Sequence, residues 1–107
     1  MNHEARRKQI LKQMAQIDCM EKGRLTEEYR ETYREGEKVR LGPYFKHQRW
    51  EDGRNISRRV PVGEAQHLRQ AVEGYHQFEA LADEYVQITI ERTRQAGNHD
   101  SKKKPRS

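Results

Sequence analysis

Asp52-Gly53 is the feature of this chain that most constrains its fold. It separates two runs, Tyr44 to Glu51 and Arg54 to Val60, along which apolar and polar side chains alternate. Asp and Gly both tolerate the positive φ required at the two central positions of a type I′ turn, and the twist of that turn matches the twist of paired strands. Gly42-Pro43 punctuates the entry to the first run and Pro61 the exit from the second. A two-residue loop also sets the register: Glu51 faces Arg54, and every later pair follows. One face then holds Phe45, His47, Arg49, Ile56, Arg58 and Val60. The other holds Tyr44, Lys46, Gln48, Trp50, Asn55, Ser57 and Arg59. The first has the aliphatic residues and is expected to pack inward at its Phe45/Val60 end, which leaves a basic, polar and aromatic face outside.

The flanks read as helices. From Glu4 to Met20, Ile10, Met14 and Ile17 fall on one helical stripe beside Leu11, with Arg6, Arg7, Lys8 and Lys12 around it and Gly23 as a stop. From Val62 to about Ala96, Leu68, Ala71, Tyr75, Phe78, Ala82, Tyr85 and Thr89 step by three and four, widened by Val72, Leu81, Val86 and Ile88. Gly74 lies inside this helix at a cost of about 1 kcal/mol relative to alanine, and Gly97-Asn98 is expected to end it. The two stripes have the same period, so the helices are natural partners, with Phe78 expected at their buried centre. The first helix has the shorter stripe, so Leu81 to Ile90 is expected to stay uncovered and to support a weak homodimer. Leu25 to Tyr33 is ambiguous: Leu25, Tyr29 and Tyr33 suit one face of a helix and one face of a strand equally.

With 107 residues, 32% of them hydrophobic and 36% charged, the chain has material for one domain with a thin core, placed over residues 1–96, and little for a deep, dry pocket. Residues 97–107, rich in lysine, are expected to be a disordered tail. One cysteine, Cys19, cannot make an internal disulfide. Met1 to Lys12 lacks the apolar stretch of a secretory signal, and no run nears the roughly 18 apolar residues of a membrane span. A cytoplasmic protein without a membrane partner is the expectation. The net charge of +5 is unevenly spread: residues 36–61 carry seven bases against three acids, whereas residues 62–96 carry three bases against six acids.

The basic stretch is the candidate site. Lys38, Arg40, Lys46, Arg49, Arg54, Arg58 and Arg59 are placed to neutralise phosphates, with Tyr44 and Trp50 offering stacking or apolar contacts. A two-stranded ribbon fits the major groove of duplex DNA. The plainer alternative is a solvated sheet face with one tryptophan as a lid on the core. The other constellations are poor. His3, His47, His67, His76 and His99 are scattered, whereas a zinc site needs three or four convergent ligands. Cys19 borders the first helix stripe and reads as a packing residue. Glu27, Glu28, Glu31 and Glu35 stand beside Arg30 and Arg34 as a charge-paired segment, and the glycines are isolated rather than gathered in a phosphate loop. No catalytic residue, metal or cofactor is expected.

Gly23-Arg24-Leu25 with Tyr29, Gly42-Pro43-Tyr44-Phe45, and Gly53 with Ser57-Arg58 and Val60-Pro61, ahead of the Tyr/Phe-striped helix, resemble a family of short bacterial proteins. That family is grouped as a domain of unknown function and is often encoded near transposases and other mobile elements. The resemblance spans roughly residues 5–95 and implies that Leu25–Tyr33 is a first strand. It implies a mobile-element setting with a transposase or recombinase as partner. Members carry several cysteines ahead of the Gly-Pro-Tyr; here that place is Arg34 to Arg40, without cysteine. More distantly, the chain resembles the sheet-plus-helix DNA-binding modules at the N-termini of phage-type integrases.

The expected architecture is therefore α+β: an N-terminal helix, a three-stranded antiparallel sheet, a long C-terminal helix and a disordered basic tail. Two functions compete. The favoured one is a DNA-binding accessory protein of a mobile or phage-like element, contacting phosphates through the hairpin. The other is a protein-interaction or oligomerisation module acting through the long helix, without nucleic acid.

Overall fold

The computed structural model describes residues 2–103, with side chains as far as Gly97, and its sheet consists of two hairpins closed by the same kind of turn. Strand β1 (Arg24–Arg34) turns through Glu35 and Gly36 into β2 (Glu37–Glu51), which turns through Asp52 and Gly53 into β3 (Arg54–Val60). Both central residues have positive φ in each turn, 52° and 80° in the first, 51° and 75° in the second, as a type I′ turn requires. The strands are antiparallel in the order β1-β2-β3. Leu25–Tyr33 thus lies inside a strand. The β2–β3 register, Glu51 opposite Arg54 through Phe45 opposite Val60, is the one the Asp52-Gly53 turn dictates.

The β1–β2 ladder contains an irregularity that the alternation does not reveal. Glu28 pairs with Tyr44 but Arg30 pairs with Leu41, so Tyr29 alone stands against Gly42 and Pro43. Two residues opposite one is a bulge, and it inverts the alternation of the bulged strand. Beyond it, Leu41 and Val39 follow Tyr44 on its face, and Arg40 and Lys38 move to the Phe45 face. Gly42 has φ 131° across a cis Gly42-Pro43 bond. A Cβ there would lie 3.0 Å from the Glu28 carbonyl oxygen.

The chain divides into two compact units. In Cys19–Tyr75, the sheet packs with the start of helix α2 (Val62–Lys103), and buried Phe45, Val60 and Ala65 form a core against which Leu25 and Leu68 lie. The Phe45/Val60 end of the hairpin is thus the inward end. His47 is also buried, with Nε2 donating to the Lys22 carbonyl at 2.8 Å. The Glu21 amide donates to the Ala71 carbonyl at 2.9 Å.

The second unit joins Met1–Asp18 to His76–Ser107. Asn2 caps α1 (His3–Ala15), its side chain accepting from the Glu4 and Ala5 amides at 3.0 and 3.3 Å. Along α1, His3 reaches Glu91, Glu4 reaches Arg92, and Arg6 forms a two-pronged pair with Glu84, so α1 runs antiparallel to this half of α2. Ile10 and Ile88 are buried in this unit.

Several details differ from the sequence expectations. Helix α1 ends at Ala15, not near Met20: the Gln16 and Ile17 amides close back on the Gln13 and Met14 carbonyls three residues earlier, and beyond them Glu21 and Lys22 bond to Ala71 and His47. Phe78 is half-buried, not fully buried. Within Leu81 to Ile90, Ile88 is buried and Val86 exposed, so that stretch is only partly uncovered. Helix α2 passes through Gly97 and Asn98 to Lys103, since an interior glycine weakens a helix by about 1 kcal/mol without breaking it. Side chains from residue 98 and all of 104–107, most of the expected tail, lie outside the described residues. Among the described residues, no helix is long and apolar enough to cross a membrane.

Candidate nucleic-acid interface

Cross-strand pairing sorts the basic residues of the sheet between its two faces, and the two sets differ in what they touch. On the Phe45 face, Lys38 pairs with Glu31 at 3.0 Å, Arg49 with Glu51 at 3.0 Å, and Arg58 with Glu64 at 3.5 Å. Arg69, from α2, reaches Glu27 at 4.0 Å. Arg40 stacks on Tyr29 with its guanidinium carbon 3.8 Å from the ring centroid. The Tyr29 hydroxyl donates to Glu27 at 3.0 Å, which holds its pKa above the ordinary tyrosine value. Lys38, Arg49 and Arg58 are thus matched by carboxylates, and Arg40 is not. Arg54 also belongs here by register, exposed at the turn opposite Glu51.

The opposite face, carrying Tyr44, Lys46, Trp50 and Arg59, is electrostatically different. Among the described residues, neither Lys46 nor Arg59 has a carboxylate within ion-pair distance. The same holds for Arg24 and Arg30, which β1 adds to this face opposite Gln48 and Leu41. Arg24 Nη2 donates to the Gln48 amide oxygen at 3.5 Å. Glu28 stands on the same face without pairing to any of these bases. Unmatched bases are therefore more numerous on this face, although among the described residues Arg40 and Arg54 also lack a carboxylate partner on the other; a field from such charge weakens with salt.

The aromatics of this face play different parts. Arg30 from β1 and Arg59 from β3 hold their guanidinium carbons 5.1 and 4.7 Å from the Tyr44 ring centroid. A cleft of about 280 Å³ opens beside them, lined also by Glu28, Lys46 and Ser57. Trp50 is 71% exposed, so it is no lid on the core. It borders a second hollow of about 310 Å³ with Gly23, Arg24, Gln48 and Asn55. An exposed indole on a basic face is chemically suited to stack a base or cover a sugar.

The structure thus separates the residues singled out from sequence. Tyr44, Lys46, Trp50 and Arg59 come together on the outer face; Lys38, Arg40, Arg49, Arg54 and Arg58 lie on the other. Sequence reasoning missed Arg24 and Arg30, which share the parity of Thr26 and Glu28 once residues 24–34 form a strand. The available signal was Glu35-Gly36, a second two-residue loop between alternating runs. Among the described residues, no group of three or more His, Cys, Asp or Glu is placed to hold a metal ion.

No protein-family model, curated protein or solved structure matches this chain.

Proposed function

We propose that this chain is a DNA-binding accessory protein of a mobile or phage-like element, acting in the cytoplasm and without catalysis of its own. The outer sheet face is its contact surface. The observation that carries this reading is the asymmetry between the faces. Lys38, Arg49 and Arg58 on the Phe45 face are ion-paired and Arg40 and Arg54 are not, whereas Arg24, Arg30, Lys46 and Arg59 share the other face with exposed Trp50 and none of them has a carboxylate partner among the described residues. A protein with no polyanionic partner has little reason to concentrate unmatched bases around an exposed indole. The mobile-element setting, and with it a transposase or recombinase as partner, rests on the resemblance read from the sequence of residues 5–95 alone.

The test is the affinity for random-sequence duplex DNA measured over a range of salt concentrations. Each neutralised phosphate contributes about −0.9 to the slope of log K against log salt. Lys46→Ala and Arg59→Ala should weaken binding on all sequences and flatten the slope by about one unit per lost contact. Trp50→Ala should weaken binding with little change in slope, because stacking releases no counterion. Removing residues 101–107 separates any attraction of the basic C-terminus from that of the sheet. If only this truncation abolishes binding and the sheet variants bind normally, the outer face is not the contact surface. If the intact chain does not bind DNA near physiological salt, a protein-interaction role for α2 replaces this reading.

A further inference from the structure

We infer that Arg30, Tyr44 and Arg59 form a preassembled clamp for neighbouring phosphates of a nucleic-acid backbone, with Tyr44 as the positioning residue; the inference rests on the nucleic-acid reading above. Tyr44 lies on the central strand, and its two arginines come from the strands on either side. Both guanidiniums lie about 5 Å from one ring, which places them within about 10 Å of each other. A guanidinium over an aromatic face is attracted to the ring quadrupole, and its N–H groups remain free to donate. A carboxylate partner would occupy those donors and cancel the charge, which is the situation of Lys38, Arg49 and Arg58. The ring contact therefore orients two cations without neutralising either.

The surroundings fit the same ligand. Lys46 is the cross-strand partner of Arg59 and lines the cleft beside Tyr44, Ser57 adds a hydroxyl, and Glu28 is the single acid against these bases. Arginine presents a planar fork that matches phosphate oxygens in pairs. Long side chains held in place before binding lose less freedom when the ligand arrives. The bulge at Gly42-Pro43 contributes as well: it turns Arg40 and Lys38 away and leaves Leu41 opposite Arg30, so the clamp draws its arginines from β1 and β3 alone.

The test measures duplex DNA affinity and its salt slope for Tyr44→Phe, Tyr44→Leu, Arg30→Ala and the double variant Arg30→Ala/Arg59→Ala, with Lys46→Ala as reference. Tyr44→Phe keeps the ring and should bind like the parent. Tyr44→Leu should lose about tenfold in affinity and flatten the slope, although it removes no charge. In the Arg30→Ala/Arg59→Ala background, Tyr44→Leu should cost nothing further. A tyrosine that stacked directly on a base would behave otherwise: the loss would persist in that background and the slope would stay unchanged, which would overturn the clamp. Arg30→Ala alone should flatten the slope by about one unit, and serves where Tyr44→Leu fails to fold. If Lys46→Ala weakens binding while Tyr44→Leu and Arg30→Ala bind like the parent, the clamp is wrong and the interface stands. If the intact chain shows no salt-dependent binding at all, the interface and its clamp both fall.

Discussion

Replacing Gly42 by alanine should destabilise the sheet far more than the same change at Gly53, although both glycines have positive φ. At Gly53 (φ 75°) an added Cβ meets nothing within 4 Å, so Gly53→Ala carries only the conformational penalty, on the order of 1 kcal/mol. At Gly42 (φ 131°) the same atom would sit 3.0 Å from the Glu28 carbonyl oxygen, 3.1 Å from Tyr29 Cδ1 and 3.3 Å from the Tyr44 amide nitrogen. Two of those three atoms are backbone and cannot swing aside, so β1 and β2 must separate by a few tenths of an ångström. Overpacking of this kind costs about 1–3 kcal/mol, which brings Gly42→Ala to roughly 2–4 kcal/mol in all. At roughly 4–8 °C per kcal/mol for a domain near this size, the gap between the two variants should be on the order of 10 °C in melting temperature. Thermal denaturation followed by far-ultraviolet circular dichroism measures it directly. Equal melting of Gly42→Ala and Gly53→Ala would refute the reasoning, because it would mean the strands do not approach closely at the bulge.

Two further substitutions probe packing and charge. Phe45→Ala, in the core formed with Val60 and Ala65, should cost about 3–5 kcal/mol; half-buried Phe78 should cost less on the same change, as ranked by denaturant midpoints. Arg6 holds the Glu84 carboxyl below its ordinary value of 4.5, chiefly by hydrogen bonding. Because the folded-state pKa is depressed, the contribution of this pair is fully present above that value and fades as pH falls through the lower one. The melting gap between the parent and Glu84→Gln should therefore be visible at neutral pH and close in acid; a gap independent of pH would show that the pair adds nothing through its charge.

What could be read from residues alone depended on how local the determining interactions are. Asp52-Gly53 determines its hairpin because the turn geometry resides in two adjacent residues, and the period of two then carries the register from Glu51/Arg54 to Phe45/Val60. The long helix was legible for the same reason, its stripe being a property of spacing along one segment. Residues 25–33 were open because a spacing of four satisfies both periods, and what makes them a strand is pairing with β2. Glu35-Gly36 gave a weaker signal than Asp52-Gly53, since glutamate seldom takes the positive φ that the first turn position needs.

Tertiary structure alone decided the composition of the candidate interface. Unbroken alternation back from Tyr44 would put Lys38 and Arg40 on its face, but a bulge is a count of residues on one strand against its neighbour, and nothing in β2 by itself reveals it. The same applies to charge. Whether Arg58 is neutralised or Arg59 left unmatched depends on Glu64 lying near one and Tyr44 near the other, and residues adjacent in the chain point to opposite faces of a sheet. Sequence establishes that this stretch is basic; only the register determines which of its charges remain available to a partner, because neutralisation acts through space over a few ångströms, between residues far apart in the chain.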